Sequence, residues 1–180
     1  MSRNRFKESR NAVTLVELVM AVLLLGLVMI SAANVDIASR KFFIATDKEG
    51  QLQVRLGAAL EHMAKNITLA HGDTVDPGIN IVGTGSIEIR LDNGTPQSYT
   101  DDVWMRYWQD GEAIRYCVLG GGACVGAVET ICRSNVDVLQ FTLNSTYPAL
   151  YVDIVLAGSD VDIAPVTLQT RVFPRSISNN

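Results

Sequence analysis

Apolar residues run almost unbroken from Val13 to Ala33, V-T-L-V-E-L-V-M-A-V-L-L-L-G-L-V-M-I-S-A-A, a stretch of 21 with one charge, Glu17, and no proline. About 20 such residues suffice for a helix to cross the hydrocarbon core of a bilayer. Beyond Ala33 the pattern changes but proline stays absent as far as Ala70. Apolar positions now recur at Leu52, Leu56, Leu60, Met63, Ile67 and Ala70, every three or four residues, while Asp47, Lys48, Glu49, Arg55, Glu61 and Lys65 mostly fall off that stripe. This is the spacing of a helix with one apolar face. The two stretches together predict a helix from Val13 to about Ala70, about 87 Å long at about 1.5 Å per residue. Gly26, Gly50 and Gly57 are places where it can bend.

After the helix the period shortens. Residues His71 to Gly85, with Asp73, Asp76, Pro77 and Gly78, read as a loop. Ile87, Ile89 and Leu91 then alternate with Glu88, Arg90 and Asp92, a half-buried strand closed by Asp92-Asn93-Gly94. Val103–Trp108 and Ala113–Leu119 flank Gln109-Asp110-Gly111-Glu112, and Asp-Gly is a strong hairpin signal. Trp104, Arg106 and Trp108 share one face of the first arm, Met105 and Tyr107 the other. Gly120 to Cys132 reads as an irregular excursion. Strands come next at Val136–Leu143, Leu150–Leu156 and Val166–Phe173, the last bracketed by Pro165 and Pro174 as suits a sheet edge. Arg175 to Asn180 is a polar, loose tail. A long helix followed by about six antiparallel strands is an α+β plan. The chain thus divides into 1–12, a basic leader; 13–33, a membrane-spanning half-helix; 34–70, an amphipathic half-helix; and 71–180, an antiparallel sheet domain.

Charge sharpens this division. Arg3, Arg5, Lys7 and Arg10 stand against Glu8 ahead of the apolar run, so the positive-inside rule keeps the N-terminus in the cytoplasm and exports the chain beyond the span. Removing the leader takes four basic and one acidic residue from totals of 15 and 19, leaving 11 against 18 and a net charge of −7. So acidic a surface excludes nucleic acid as a partner on charge grounds. About 147 residues remain beyond the span, one domain by length.

All three cysteines, Cys117, Cys124 and Cys132, lie in the exported part. An oxidising compartment predicts one disulfide and one thiol, with the pairing open. Six and seven residues separate them and no histidine is near, which argues against zinc. Catalytic chemistry is poorly supplied. There are two histidines, His62 and His71, and no hydrolase or metalloprotease motif. Gly120-Gly121-Gly122 lacks the lysine and following helix of a phosphate loop. The acidic pairs Asp73/Asp76, Asp101/Asp102 and Asp160/Asp162 have no EF-hand spacing and read as solvated turns. The expectation is a protein that is not an enzyme, with no cofactor and no metal.

Glu17 stands apart from all of this. A carboxylate inside an apolar span costs about 2.5 to 3.5 kcal/mol on insertion scales, so it marks a functional position with an expected partner. Its surroundings, Ala12-Val13-Thr14-Leu15-Val16-Glu17-Leu18 behind a basic leader, resemble the N-terminal cleavage signature of type IV prepilins and pseudopilins. Two positions depart from the usual pattern: Ala12 where glycine precedes the cut, and Val13 where phenylalanine comes after it. The resemblance implies a cut between Ala12 and Val13 by a prepilin peptidase, methylation of Val13, and Glu17 as the fifth mature residue. Gly26 also falls where many of these helices carry glycine. The layout of the remainder resembles the J-type minor pseudopilins of type II secretion and the W-type minor pilins. That implies a filament subunit of the inner membrane whose partners are other pilin or pseudopilin subunits, with Glu17 paired to a neighbour's amine. Two plainer readings compete. One is a single-span, membrane-anchored exported protein without a filament role. The other is a cleaved secretory signal, disfavoured because its core is only about 7 to 15 residues.

Overall fold

The computed structural model describes residues 14–73, 76–94, 99–133, 135–144, 150–161 and 163–174, and the backbone of 176–178. The described residues form a helix, α1 (Leu15–Thr68), and then strands β1 (His71–Asp73), β2 (Ile79–Ile81), β3 (Ser86–Leu91), β4 (Val103–Asp110), β5 (Ala113–Gly120), β6 (Ala123–Cys132), β7 (Val136–Asn144), β8 (Tyr151–Gly158), β9 (Val166–Val172) and β10 (Ser176–Ser178). The layout is α+β, as the change of period predicts. The chain forms two compact units, Met1–Ile44 and Ala45–Asn180.

In the first unit the described residues are helical from Leu15 onward, and their apolar side chains face outward on every side. Leu15, Val16, Val22, Leu27, Ile30 and Val35 are among the many that lie open. None of the most apolar window of this helix is buried, and it is long and apolar enough to cross a membrane. Ser31 returns its hydroxyl to the Leu27 carbonyl at 2.9 Å, which satisfies a polar group inside the apolar stretch.

The second unit holds the core. Along α1, Leu52, Leu56, Ala59, Met63 and Ile67 are buried, and Leu60 packs beside them half-buried. The apolar stripe is the one its spacing predicts, with Ala59 added. Against it lie two antiparallel sheets, β2-β3-β4-β5-β6 and β7-β8-β9, together with a two-stranded parallel pair, β1-β10. The first sheet contributes Ile79, Ile87, Ile89, Tyr107 and Ile114 to the core; the second contributes Val136, Leu139, Phe141, Val152, Ile154, Leu156, Val166 and Val172. Gln109 ties the sheets together. Its Nε2 donates to the carbonyls of Val136 and Asp137 at 3.2 Å each, and its Oε1 accepts from Leu139 N at 3.0 Å. β9 lies at a sheet edge, as its flanking prolines imply.

Among the described residues ten strands replace the expected six, and most of the extra ones share a cause. β1, β2 and β10 are three residues each, too short to show a period. The first two lie in the expected loop from His71 to Gly85, and β10 lies in the expected tail. β6 falls in the expected excursion. It is an edge strand whose first eight residues are all exposed, so burial imposes no alternation on its sequence. Two register shifts against β5 and a positive φ of 85° at Gly126 interrupt it further. Gly121 and Gly122, with φ of 61° and 85°, make the two-residue turn between Gly120 and Ala123. Positive φ at both positions is the type I′ requirement that glycine meets without strain. The start of the expected irregular excursion is thus a tight hairpin.

Candidate functional site

Three places carry the candidate chemistry: the start of α1, the cysteines of the β5–β6 hairpin, and a buried polar cluster below the end of α1.

Thr14 stands just ahead of α1, and Glu17 lies in its first turn. Glu17 N donates to Thr14 Oγ1 at 3.3 Å, while Glu17 Oε2 accepts from Thr14 N at 3.3 Å and from its hydroxyl at 3.4 Å. This reciprocal exchange is a capping box, which satisfies two of the amides that a helix start leaves open. The carboxylate also sits where the helix dipole favours negative charge. Among the described residues Glu17 has no ion pair. The first cation pair along the helix is Arg40 with Asp36 at 3.0 Å, far outside the apolar run. The T-x-x-E spacing is visible in the sequence, and it gives Glu17 a local role that the apolar pattern alone does not suggest. Ala12 and Val13, the expected cut site, lie outside the described residues.

Cys117 and Cys124 form a disulfide that links β5 to β6, and Cys132, at the end of β6, is a buried thiol. The bond spans seven positions across a hairpin already closed by its glycine turn. Short loops gain least from such a link, here about 2 kcal/mol in the chain-entropy picture. Cys124→Ser is therefore expected to speed amide exchange near the Gly121-Gly122 turn while the rest of the domain stays folded. Thiol counting on the oxidised protein should find one reactive thiol after denaturation; three would contradict the pairing.

The polar cluster has no counterpart in the sequence pattern. Arg90, which the alternation of β3 places on the solvent side, is buried at 5% exposure. Its Nε donates to the His71 carbonyl at 2.9 Å, its Nη1 to Asp76 Oδ2 at 2.8 Å, and its guanidinium lies 4.1 Å from the Tyr99 ring centre. Asp102, expected in a solvated turn, has a fully buried side chain whose Oδ2 meets His71 Nδ1 at 2.8 Å. Asp73 and Asp76 do supply turn chemistry, with Asp76 N donating to Asp73 Oδ1 at 2.7 Å, but Asp76 also anchors Arg90. Asp160 caps its own turn through Val161 N at 2.7 Å, while Asp162 lies outside the described residues. Gly78, at φ 67°, passes so close to the His71 carbonyl that any Cβ would collide with it. The residues of this cluster are up to 31 positions apart, and no local pattern joins them.

His62, beside the apolar stripe, serves packing. Its ring sits edge-on to Tyr107, and its Nδ1 lies in hydrogen-bond contact with the Tyr107 hydroxyl at 3.1 Å; Asn66 donates to the same hydroxyl at 2.5 Å. Burial pushes the Tyr107 phenol well above its usual range. Tyr116 stacks on Tyr107 and donates to Glu129, a hydrogen bond that raises its own pKa. No family model matches the chain, and no curated protein matches it.

Proposed function

We propose that the chain is a structural subunit, a minor pilin or pseudopilin, of a filament that grows from the inner membrane in a type IV pilus or a type II secretion pseudopilus. One observation supports this above the rest. The first unit exposes an apolar helix on all sides, with one carboxylate at its start and no cation to meet it among the described residues. Such a surface needs a second environment, first lipid and then other helices of the same kind. Subunits repeating head to tail generate an open helix, and the half-helices pack at its centre. There Glu17 meets the amine of a neighbour's Val13, created when the prepilin peptidase removes Met1–Ala12. The domain beyond Ile44 stays on the far side of the membrane, since the basic leader holds the N-terminus in the cytoplasm.

The capping box favours a second reading. If Glu17 only closes the first turn of α1, a single-span anchored protein without filament partners explains it as well. The mass of the mature protein separates the two. Loss of Met1–Ala12 with one methyl group on Val13 is the expected result. An intact chain, or a cut after Ala33, would remove the basis for the filament reading.

A further inference from the structure

Below the end of α1 the fold brings together three segments: His71 opens β1, Asp92 directly succeeds β3, and Asp102 directly precedes β4. One ring nitrogen of His71 and one carboxylate oxygen from each of Asp92 and Asp102 lie within 4.8 Å of one another. The Asp102 side chain is 0% exposed, and its Oδ2 is taken by His71 Nδ1 at 2.8 Å and faces Arg90 Nε at 3.5 Å. Its other oxygen, Oδ1, is equally buried and accepts no hydrogen bond among the described residues. Buried carboxylates are normally satisfied by donors or by a metal ion, so an oxygen with no donor points to a ligand. Arg90 is shared by Asp76, which holds its Nη1 at 2.8 Å, and Asp102, whose Oδ2 lies 3.5 Å from its Nε. Asp92 and Asp102 bring two carboxylates to the ring nitrogen of His71, and an imidazole nitrogen can add a lone pair to theirs.

We propose that His71, Asp92 and Asp102 bind one divalent transition cation of the zinc class. One imidazole nitrogen with two carboxylate oxygens is a borderline donor set that suits zinc, whereas calcium and magnesium take oxygen ligands. Tetrahedral bonds of about 2.1 Å place ligand atoms about 3.4 Å apart, which three atoms within 4.8 Å of one another reach by small side-chain movements. Asp92 is exposed and supplies that movement. The ion is offered Asp102 Oδ1, the oxygen without a donor, while Arg90 keeps Asp76 and the His71 carbonyl. Three protein ligands leave a fourth position for water. A cation so placed staples the end of α1 to both ends of the β3–β4 connection.

The test uses the full chain in detergent, purified without a polyhistidine tag and stripped with a chelator. Bound zinc is counted after dialysis, and the melting temperature is measured alongside. One zinc per chain with a raised melting temperature is expected, and calcium or magnesium at the same concentration should leave the melting temperature unmoved. Asp92→Asn keeps the turn to Gly94 N at 2.8 Å, so its metal-free melting temperature should match the parent. Its zinc affinity should fall by at least about tenfold, as ligand-sphere changes do. His71→Gln should abolish binding, and Cys132→Ser should leave it intact. Failure to retain zinc, equal retention by Asp92→Asn, loss of binding in Cys132→Ser, or a calcium shift matching that of zinc would each overturn the proposal.

Discussion

Replacing Arg90 with leucine is expected to destabilise the domain by about 3–5 kcal/mol, the usual cost of removing one partner from a buried ion pair. The groups left behind set that size. Asp76 is 58% exposed and returns to water, but Asp102, with no exposed side-chain surface, is left among the described residues with its contact to His71. The His71 carbonyl loses its donor at 2.9 Å, and the Tyr99 ring loses the cation 4.1 Å above it. For a domain of this size the melting midpoint should fall by roughly 10 to 20 °C. Arg171 provides the comparison. It pairs with Asp153 through two hydrogen bonds, at 2.8 and 3.0 Å, yet its side chain is 52% exposed. Solvent replaces what that pair supplies, so Arg171→Leu should leave the midpoint near that of the parent. Thermal melts of the two variants side by side decide the matter. Equal small shifts would mean that the carboxylates around Arg90 do not form an enclosed network.

The contrast between these two arginines also shows which parts of the fold are legible in sequence. Leu52, Leu56, Met63 and Ile67 are readable because a helix repeats its buried face and large apolar residues mark it. Ala59 belongs to the same face, but alanine is at home on either side of a helix and gives no signal. In β3 the alternation Ile87, Ile89, Leu91 is real as far as Ile89. There the pattern fails, because Arg90 turns inward to carboxylates that come from elsewhere in the chain. Nothing local in the sequence says that Asp76 and Asp102 will surround it. Edge strand β6 is hidden for the opposite reason: exposure along most of its length asks nothing of its residues. At the candidate site, Glu17 is conspicuous because a charge interrupts an apolar run. Its Thr14 partner becomes visible only through a second rule, the spacing of a capping box.

That partner changes what a substitution at Glu17 must be asked to show. Glu17→Leu removes both the charge and the cap, so a loss of assembly in that variant alone does not say which mattered. Glu17→Gln separates them, because glutamine at this position still reaches back to the capping residue. If Glu17 pairs with a neighbour's amine in a low-dielectric filament core, both variants delete one partner of a buried pair. The cost is about 3–5 kcal/mol, or about a hundredfold to several thousandfold in incorporation. If Glu17 only caps, glutamine should incorporate like the parent, and leucine should lose about 0.5–2 kcal/mol of helix stability. Neither change should impair membrane insertion, since each removes a charge from the apolar run. The expected result is that both variants are cleaved and membrane-bound, yet both fail to co-purify with the other filament subunits. Normal co-purification of Glu17→Gln would assign Glu17 to the cap and leave the filament reading resting on the cut site between Ala12 and Val13.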